Sequence, residues 1–481
     1  MGLYFINQYN PIFFIMKKKV FPSYRPIIEP GFFHKQIKDY HLIIHSTKPS
    51  WVLINDFSWQ IVQLLNGNNS VSDIVQLLKS EYDVEEHVLR KDINEFIESL
   101  LRSGILEDHQ DGKGKTDFIF SDIFLHITNK CNLNCRHCYY PDNKTKEVSE
   151  LTDSEILDLL EKFYDAGGRG VTLSGGEPLL RNDLVKTILK KSRKSTVKIL
   201  TNGTLINDDF ADFLKDFNVL VQVSIDGSTE EIHESIRGKG SFRSALRGIK
   251  ALKGKGLAER TNFCTTLTRQ NISDIGGIIN LTQSFEIPFV RFIPLRKEGR
   301  ACRSWPELNS GLSIKDSEEF YDYIFEKAKK EYPNIEITSG LCGFVLDPKK
   351  LDNYGRWCPV GRMLIIDTKG DTYPCVMFMD EQYKLGNIRT DSMDDFKNSP
   401  VLSKLVNDLT DREEKILKCR SCMWKNFCQA GCAGLALERY KTIWKSDECC
   451  HYRKNLYEKA FVKIVEGKAL FYSQGEESEC I

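Results

Sequence analysis

The chain has no excess of either charge. Its 481 residues carry 67 Lys and Arg against 67 Asp and Glu, a formal net charge of +0. No long-range field draws it to nucleic acid or to an anionic membrane surface. It also lacks any apolar run approaching the ~20 residues of a spanning helix, so membrane insertion is not expected. A secretory signal is missing too. The start, "MGLYFINQYNPIFFIMKKKV", is apolar and aromatic, but Asn, Gln and Pro interrupt it and its charges follow the apolar part, the reverse of a signal. Translation from Met16 is an open alternative to Met1. These absences point to a cytoplasmic protein.

Cysteine, by contrast, is plentiful, at 15 residues. In a small secreted chain that count would mean disulfides. In a large cytosolic chain, clustered cysteines point to metal or catalysis. The stretch "NKCNLNCRHCYY" sets Cys131, Cys135 and Cys138 at C-x3-C-x2-C. Structural zinc takes four ligands, and a disulfide takes two thiols. A four-iron cube held by three thiolates keeps one iron open to a ligand that is not protein. A zinc or redox loop is the competing reading. A second group reads C-x11-G-x4-C at Cys358, Gly370 and Cys375, then C-x2-C-x5-C-x3-C at Cys419, Cys422, Cys428 and Cys432, and ends at Cys449 or Cys450. Zinc competes for "CRSCMWKNFC", because C-x2-C knuckles suit it.

The periodicity divides the chain. Residues 51–107 predict three short helices and some strand. Phe57, Ile61, Leu64 and Leu65 share the first helix, closed by Gly67. "SVSDIVQLLKSEY" is the second. Val88, Ile93, Phe96, Ile97, Leu100 and Leu101 face one way on the third, which Gly104 ends. "ILED" reads as a short edge strand, and "DGKGKTD", residues 111–117, as a linker. Residues 122–293 alternate strand and helix. The strands are "DIFLHIT", "GVTLS", "VKILT", "VLVQVSI", "FCTTLT" and "FVRFIP", and the first helix opens with the capping box Thr152 and Glu155. Six such repeats predict a parallel sheet curved into a partial barrel, with its site at the C-terminal ends of the strands. The three-cysteine loop follows the first strand directly.

With these motifs in place, the chain resembles the radical S-adenosylmethionine superfamily. In that family three cysteines hold a 4Fe–4S cluster whose fourth iron binds the methionine moiety of the cofactor, and Cys131, Cys135 and Cys138 match them. The resemblance implies that His137 faces the adenine. "LSGGEPLL" follows the second strand: Gly175 and Gly176 permit close backbone approach, and Glu177 is implied to accept from the methionine ammonium. Ser224 and Arg237, in "VSIDGSTEEIHESIRG", are implied ribose or carboxylate contacts, with a helix-end surface arginine as the plain alternative for Arg237 and a turn cap as the role of Asp226. The later cysteines resemble a SPASM domain with two auxiliary 4Fe–4S clusters. One set is implied to be Cys342, Cys358, Cys375 and Cys432, the other Cys419, Cys422, Cys428 and Cys450. Cys450 is preferred to Cys449 because the family often ends in Asp-x-x-Cys. Cys264, Cys302 and Cys480 match no cluster motif, and Cys264 is expected in a strand core.

The N-terminal unit resembles the peptide-chaperone domain of pyrroloquinoline quinone biosynthesis, where a leader peptide adds to a sheet edge. A nucleic-acid-binding winged helix is the alternative, and no basic stripe supports it. The expected organisation is a tail at 1–20, a winged-helix-like precursor-recognition domain at 21–110, a partial (βα)6 barrel at 111–295, a connector at 296–341, an Fe–S SPASM domain at 342–465 and a tail at 466–481. The resemblance implies an α/β radical enzyme that modifies a ribosomally made precursor peptide. A thioether from a cysteine sulfur to carbon is the leading reaction, and an electron donor such as flavodoxin or ferredoxin is needed. Carbon–carbon cross-linking, epimerisation and sulfatase-type oxidation use the same parts, although Val376 stands where sulfatase-maturing enzymes are expected to carry Asp. A non-catalytic peptide carrier or electron-transfer protein is the alternative outside enzymes.

Overall fold

The computed structural model describes residues 20–106, 120–140, 149–192, 195–309, 319–339 apart from 321, and 358–466. The expected linker at 111–117, Cys342 and Cys480 lie outside the described residues. Among the described residues no helix is long and apolar enough to cross a membrane.

The N-terminal module is a three-stranded antiparallel sheet, β1 (Phe32–Ile37), β2 (Tyr40–His45) and β3 (Trp51–Ile54), with three helices, α1 (Asp56–Leu64), α2 (Val71–Lys79) and α3 (Glu86–Arg102). The Asn55 side chain caps α1, and Ser70 and Asp73 form a capping box on α2. The helical spacing holds, but α3 buries Leu89 in place of Val88, which is 39% exposed. Of "ILED", Ile105 and Leu106 are not in a strand and pack onto the helices, and residues 107–108 lie outside the described residues. β2 and β3 are buried on both faces, whereas the edge strand β1 is partly exposed. Ile43, Val52 and Ile54 join the module's own helices. Ile37, Leu42, Ile44, Trp51 and Leu53 point the other way, into the core that holds Tyr457, Phe461 and Ile464 of the C-terminal helix Cys450–Val465. The Trp51 and Phe461 rings meet edge to face at 4.8 Å, and Asn426 Nδ2 donates to the His45 carbonyl at 2.9 Å.

All six expected barrel strands form: β4 (Asp122–His126), β5 (Gly170–Ser174), β6 (Thr196–Thr201), β7 (Val219–Ser224), β8 (Thr261–Leu267) and β9 (Phe289–Pro294). They run parallel, in sequence order. The helices between them are α4 (Asp153–Asp165), α5 (Asn182–Lys191), α6 (Asp208–Leu214), α7 (Glu230–Arg237), α8 (Ser241–Gly254) and α9 (Ile275–Ser284). The Thr152–Glu155 capping box is present on α4.

The sheet extends past the six expected strands on both sides. The connector, read as mostly helical, contains α10 (Ala301–Asn309) but also β10 (Glu336–Ser339), which pairs parallel with β9. At the other edge β11 (Met363–Ile366), from the cysteine-rich region, pairs parallel with β4. Two short strands, β12 (Asp371–Tyr373) and β13 (Gly386–Asn387), follow antiparallel. The barrel and the C-terminal region thus share one ten-stranded sheet.

Candidate active site

The three-cysteine loop leaves the C-terminal end of β4 and is tied down from several sides. Glu150 accepts from the Asn129 amide at 2.7 Å and from Thr128 Oγ1 at 3.1 Å. The Arg136 amide donates to the Ile236 carbonyl at 2.9 Å, and Arg300 Nε to the Cys135 carbonyl at 3.0 Å. From β5, the Gly176 and Glu177 amides donate to the Thr128 and Lys130 carbonyls at 2.7 and 2.8 Å. A Cβ on Gly175 or Gly176 would overlap those same carbonyls. The close approach these glycines permit is therefore to the cysteine loop itself.

Cys131 is exposed, Cys135 buried and Cys138 between the two. Burial pushes the Cys135 thiol up to about 11, and the neighbouring thiols of Cys138 and Cys131 add to the shift. Binding a metal centre would remove these protons outright. Among the described residues no three His, Cys, Asp or Glu side chains close to the spacing of a single metal ion.

Glu177 is 1% exposed. Its carboxylate accepts from Thr201 Oγ1 at 2.7 Å and from the amides of Asn202 at 2.8 Å and Leu179 at 3.1 Å. Burial nevertheless holds its pKa above the usual range. Three donors leave room on a carboxylate for one more. Asn202, which the sequence reading did not single out, also turns its side chain to Asn132 at 2.9 Å and towards the Cys131 sulfur at 3.9 Å.

His137 and Arg237 converge on Asp226. Arg237 Nε is 2.6 Å from Asp226 Oδ2, and His137 Nε2 is 3.4 Å from the same oxygen. Arg237 is 8% exposed, so it is no surface arginine, and Asp226 is fully buried, so it does far more than cap a turn. Burial pushes the His137 ring down to about 4, which leaves it neutral, and its Nδ1 is buried with no hydrogen-bond partner. Burial by itself would raise Asp226; Arg237 and the two facing histidines outweigh it and hold the group below the usual carboxylate range. Ser224 is half-buried at the end of β7, beside Cys264 of β8, which is buried as expected. An aspartate just past a strand with an arginine eleven residues on was the signal available for this pair.

The later cysteines gather in two places. Cys419, Cys422, Cys428 and Cys450 line one cavity, together with Trp424, Tyr457 and Ser446. Ser446 Oγ is buried there without a hydrogen-bond partner. Cys449 does not line that cavity; it is buried in the main core. Cys358, Cys375 and Cys432 form the other group: Cys358 and Cys432 help burial push the Cys375 thiol up to about 12. Buried polar atoms without partners at His137 and Ser446, and thiols that crowd one another, fit residues that would hold a polar cofactor and metal clusters.

Three stretches of the chain match known protein families. Residues 125–282 match the radical SAM superfamily, residues 40–106 coenzyme PQQ synthesis protein D, and residues 358–423 the SPASM iron–sulfur cluster-binding domain. The chain is therefore a radical SAM enzyme with an N-terminal PqqD-like domain and a C-terminal SPASM domain, and its cofactors are 4Fe–4S clusters and S-adenosylmethionine. Among its relatives are Fe-coproporphyrin III synthase of Methanosarcina barkeri, 28% identical over 69% of this chain and 88% of that one, and mycofactocin maturase of Mycobacterium ulcerans, 29% identical over 64% and 81%. A cysteine-type anaerobic sulfatase-maturating enzyme of Clostridium novyi is 26% identical over 72% and 97%. In fold it is similar to Streptococcus suis SuiB, solved with S-adenosylmethionine and with the precursor peptide SuiA, at 15% identity, 88% and 99% coverage and a TM-score of 0.56.

Proposed function

We propose that this enzyme modifies a ribosomally synthesised precursor peptide, and that it joins a peptide cysteine sulfur to a carbon of another residue. The observation that carries the reading is the docking of the PqqD-like sheet on the helix Cys450–Val465. It fixes a peptide-recognition module to the domain that carries the later cysteines. The names of two relatives, maturases of mycofactocin and of sulfatase, support a peptide substrate. A small tetrapyrrole, as the first relative's name suggests, would leave the N-terminal module without a task.

In this reading Cys131, Cys135 and Cys138 hold the radical-site cluster. Glu177 uses its remaining acceptor site for the ammonium of S-adenosylmethionine, between Gly175, Gly176 and Ser224. His137 faces the adenine with the edge that has no partner, and Arg237 offers the guanidinium N–H groups that Asp226 does not occupy. Bound there, the two cofactors supply a 5′-deoxyadenosyl radical, which takes hydrogen from carbon. Cys358, Cys375 and Cys432, with Cys342, hold one auxiliary cluster, and Cys419, Cys422, Cys428 and Cys450 the other. The protein's share is placement: the radical does not discriminate, so selectivity rests on where the peptide is held. A leader strand added to the module's sheet raises the effective concentration of the core peptide at the barrel, into the mM range for a short linker. A flavodoxin or ferredoxin supplies the electron.

Co-expression with a short cysteine-rich peptide encoded beside this gene, followed by mass spectrometry, tests the reading. A loss of two hydrogens per cross-link, with a cysteine no longer open to alkylation, is the expected result. An unmodified peptide that also fails to bind the enzyme would overturn it. A mass loss with every cysteine still open to alkylation would indicate carbon–carbon bonding.

A further inference from the structure

Arg453 is 1% exposed and stands between the two later cysteine groups. Its Nε donates to the Cys428 sulfur at 3.2 Å. The rest of its guanidinium forks onto Asp447, with Nη1 3.0 Å from Oδ2 and Nη2 on Oδ1. Asp447 is also fully enclosed; it accepts from the amide of Cys432, at 2.6 Å, and from that of Cys449, at 3.0 Å. One buried ion pair therefore touches a sulfur of one cysteine group and the backbone of a cysteine in the other.

The turn between those cysteines is built around the pair. Gln429, Ala430 and Gly431 have φ of 49°, 59° and 77°, three left-handed residues in a row. Such conformations are unfavourable for non-glycine residues and persist only where the surroundings enforce them. At Gly431 any Cβ would overlap both Arg453 Nη2 and Asp447 Oδ2. A second buried arginine, Arg412, pins the same turn by donating to the Gly431 carbonyl at 2.7 Å, and also to those of Ile443 and Lys445. Burial lowers the Arg412 pKa, while Asp447 and the side chains of Cys432, Cys419 and Cys428 act in the opposite direction. Two buried guanidinium groups thus lie in one region: Asp447 is paired with Arg453, and Arg412 spends its donors on carbonyl oxygens. The remaining positive charge calls for an anion close by, and thiolates on a cluster provide it.

We propose that Arg453 is a positioning residue that sets the reduction potential of the cluster held by Cys419, Cys422, Cys428 and Cys450, raising it through its N–H···S bond and its charge. Hydrogen bonds to cluster sulfur and local positive charge are general determinants of such potentials. The proposal rests on reading those four cysteines as cluster ligands.

The test is a redox titration of the reconstituted holoenzyme followed by electron paramagnetic resonance, on the wild type, Arg453→Lys and the double variant Arg453→Met/Asp447→Asn. The double variant removes both buried charges together, so neither is left unpaired. The expected result is full iron content and a cluster that is harder to reduce, by at least tenfold in the reduction equilibrium, or about 59 mV for one electron. The Lys variant falls between, and the radical-site cluster is unchanged. Unchanged potentials at full iron content would overturn the proposal. Loss of the cluster in both variants would make Arg453 a folding residue and overturn it equally. If the wild type carries no cluster that depends on Cys419 and Cys422, the underlying ligand reading fails instead, and iron analysis of Cys419→Ala/Cys422→Ala distinguishes the two failures.

Discussion

Asp226 and Arg237 form an ion pair closed to water, with 2.6 Å between Asp226 Oδ2 and Arg237 Nε. Asp226 takes its other oxygen to the Thr266 amide at 2.8 Å, and its own amide donates to His233 Nδ1 at 3.2 Å. The carboxylate thus links the ends of β7 and β8 to α7, and through His137 to the cysteine loop. Replacing Asp226 by Asn is expected to destabilise the protein by about 3–5 kcal/mol, because it strands a buried guanidinium. Denaturant unfolding at neutral pH measures this. Because the folded-state pKa of Asp226 lies below its ordinary value, its contribution is complete above about pH 4 and is lost as pH falls through the lower folded value. The Asn variant lacks that acid-sensitive component.

Glu177→Gln is expected to weaken S-adenosylmethionine binding about tenfold, equivalent to ~1.4 kcal/mol, with iron content unchanged. Gln keeps one oxygen, enough for the Thr201 and Leu179 donors that share Oε1, but it turns an NH2 group towards the Asn202 amide and gives up the charge that would meet the ammonium. Equilibrium dialysis of the reconstituted enzyme reads the affinity. Unaltered binding would make Glu177 only a fastener for the turn it shares with Leu179.

Anaerobic reconstitution is expected to give about twelve irons per chain, the content of three four-iron cubes. Replacing Cys131, Cys135 and Cys138 by Ala should remove roughly a third of them. The adjacent pair at 449–450 offers a sharper comparison. Cys450 lines the cavity with Cys419, Cys422 and Cys428, whereas Cys449 faces the apolar core. Cys450→Ala should lower iron content, and Cys449→Ala should leave it intact.

Trp51→Ala should loosen the N-terminal module from the helix Cys450–Val465. Trp51 is 7% exposed and packs edge to face on Phe461. Losing a buried Trp costs about 3–5 kcal/mol. Limited proteolysis is expected to release the module faster, while the clusters stay loaded. Removing the whole module is a harsher test than it looks from sequence, because it would uncover Tyr457, Phe461 and Ile464.

That docking is also where sequence reading reached its limit. The six barrel strands were legible because each is a short apolar run bounded by turns and followed by an amphipathic helix. The cysteine loop and "LSGGEPLL" were legible because their spacing is specific. β3 was not: "WVLI" is buried on both faces, so it shows no alternation and reads as the lead-in to α1. In β1 and β2 His, Lys and Gln interrupt the apolar pattern, and their pairing depends on neighbours that local propensity does not register. β10 and β11 are four residues each and owe their strand form to the barrel edges they complete. Asp226 reads as a turn cap, and Asn202 does not stand out, because an aspartate or asparagine after a strand is the commonest of turn residues. Only the fold shows that one is buried against an arginine and the other is folded over a cysteine.

The pairing of β11 with β4 has a consequence for how the chain is made. Asp122 and its partner Met363 are about 240 residues apart in sequence. Contacts so distant form slowly, since a long loop must close before the pairing stabilises it. As the chain leaves the ribosome, β4 through β9 can assemble while the outer edge of β4, the strand that leads into the three cysteines, has no neighbour. An open strand edge is a template for wrong partners. That edge is covered only once residues 363–366 have emerged. The C-terminal region, beyond carrying its own cysteines, thus closes the sheet on which the radical site is built.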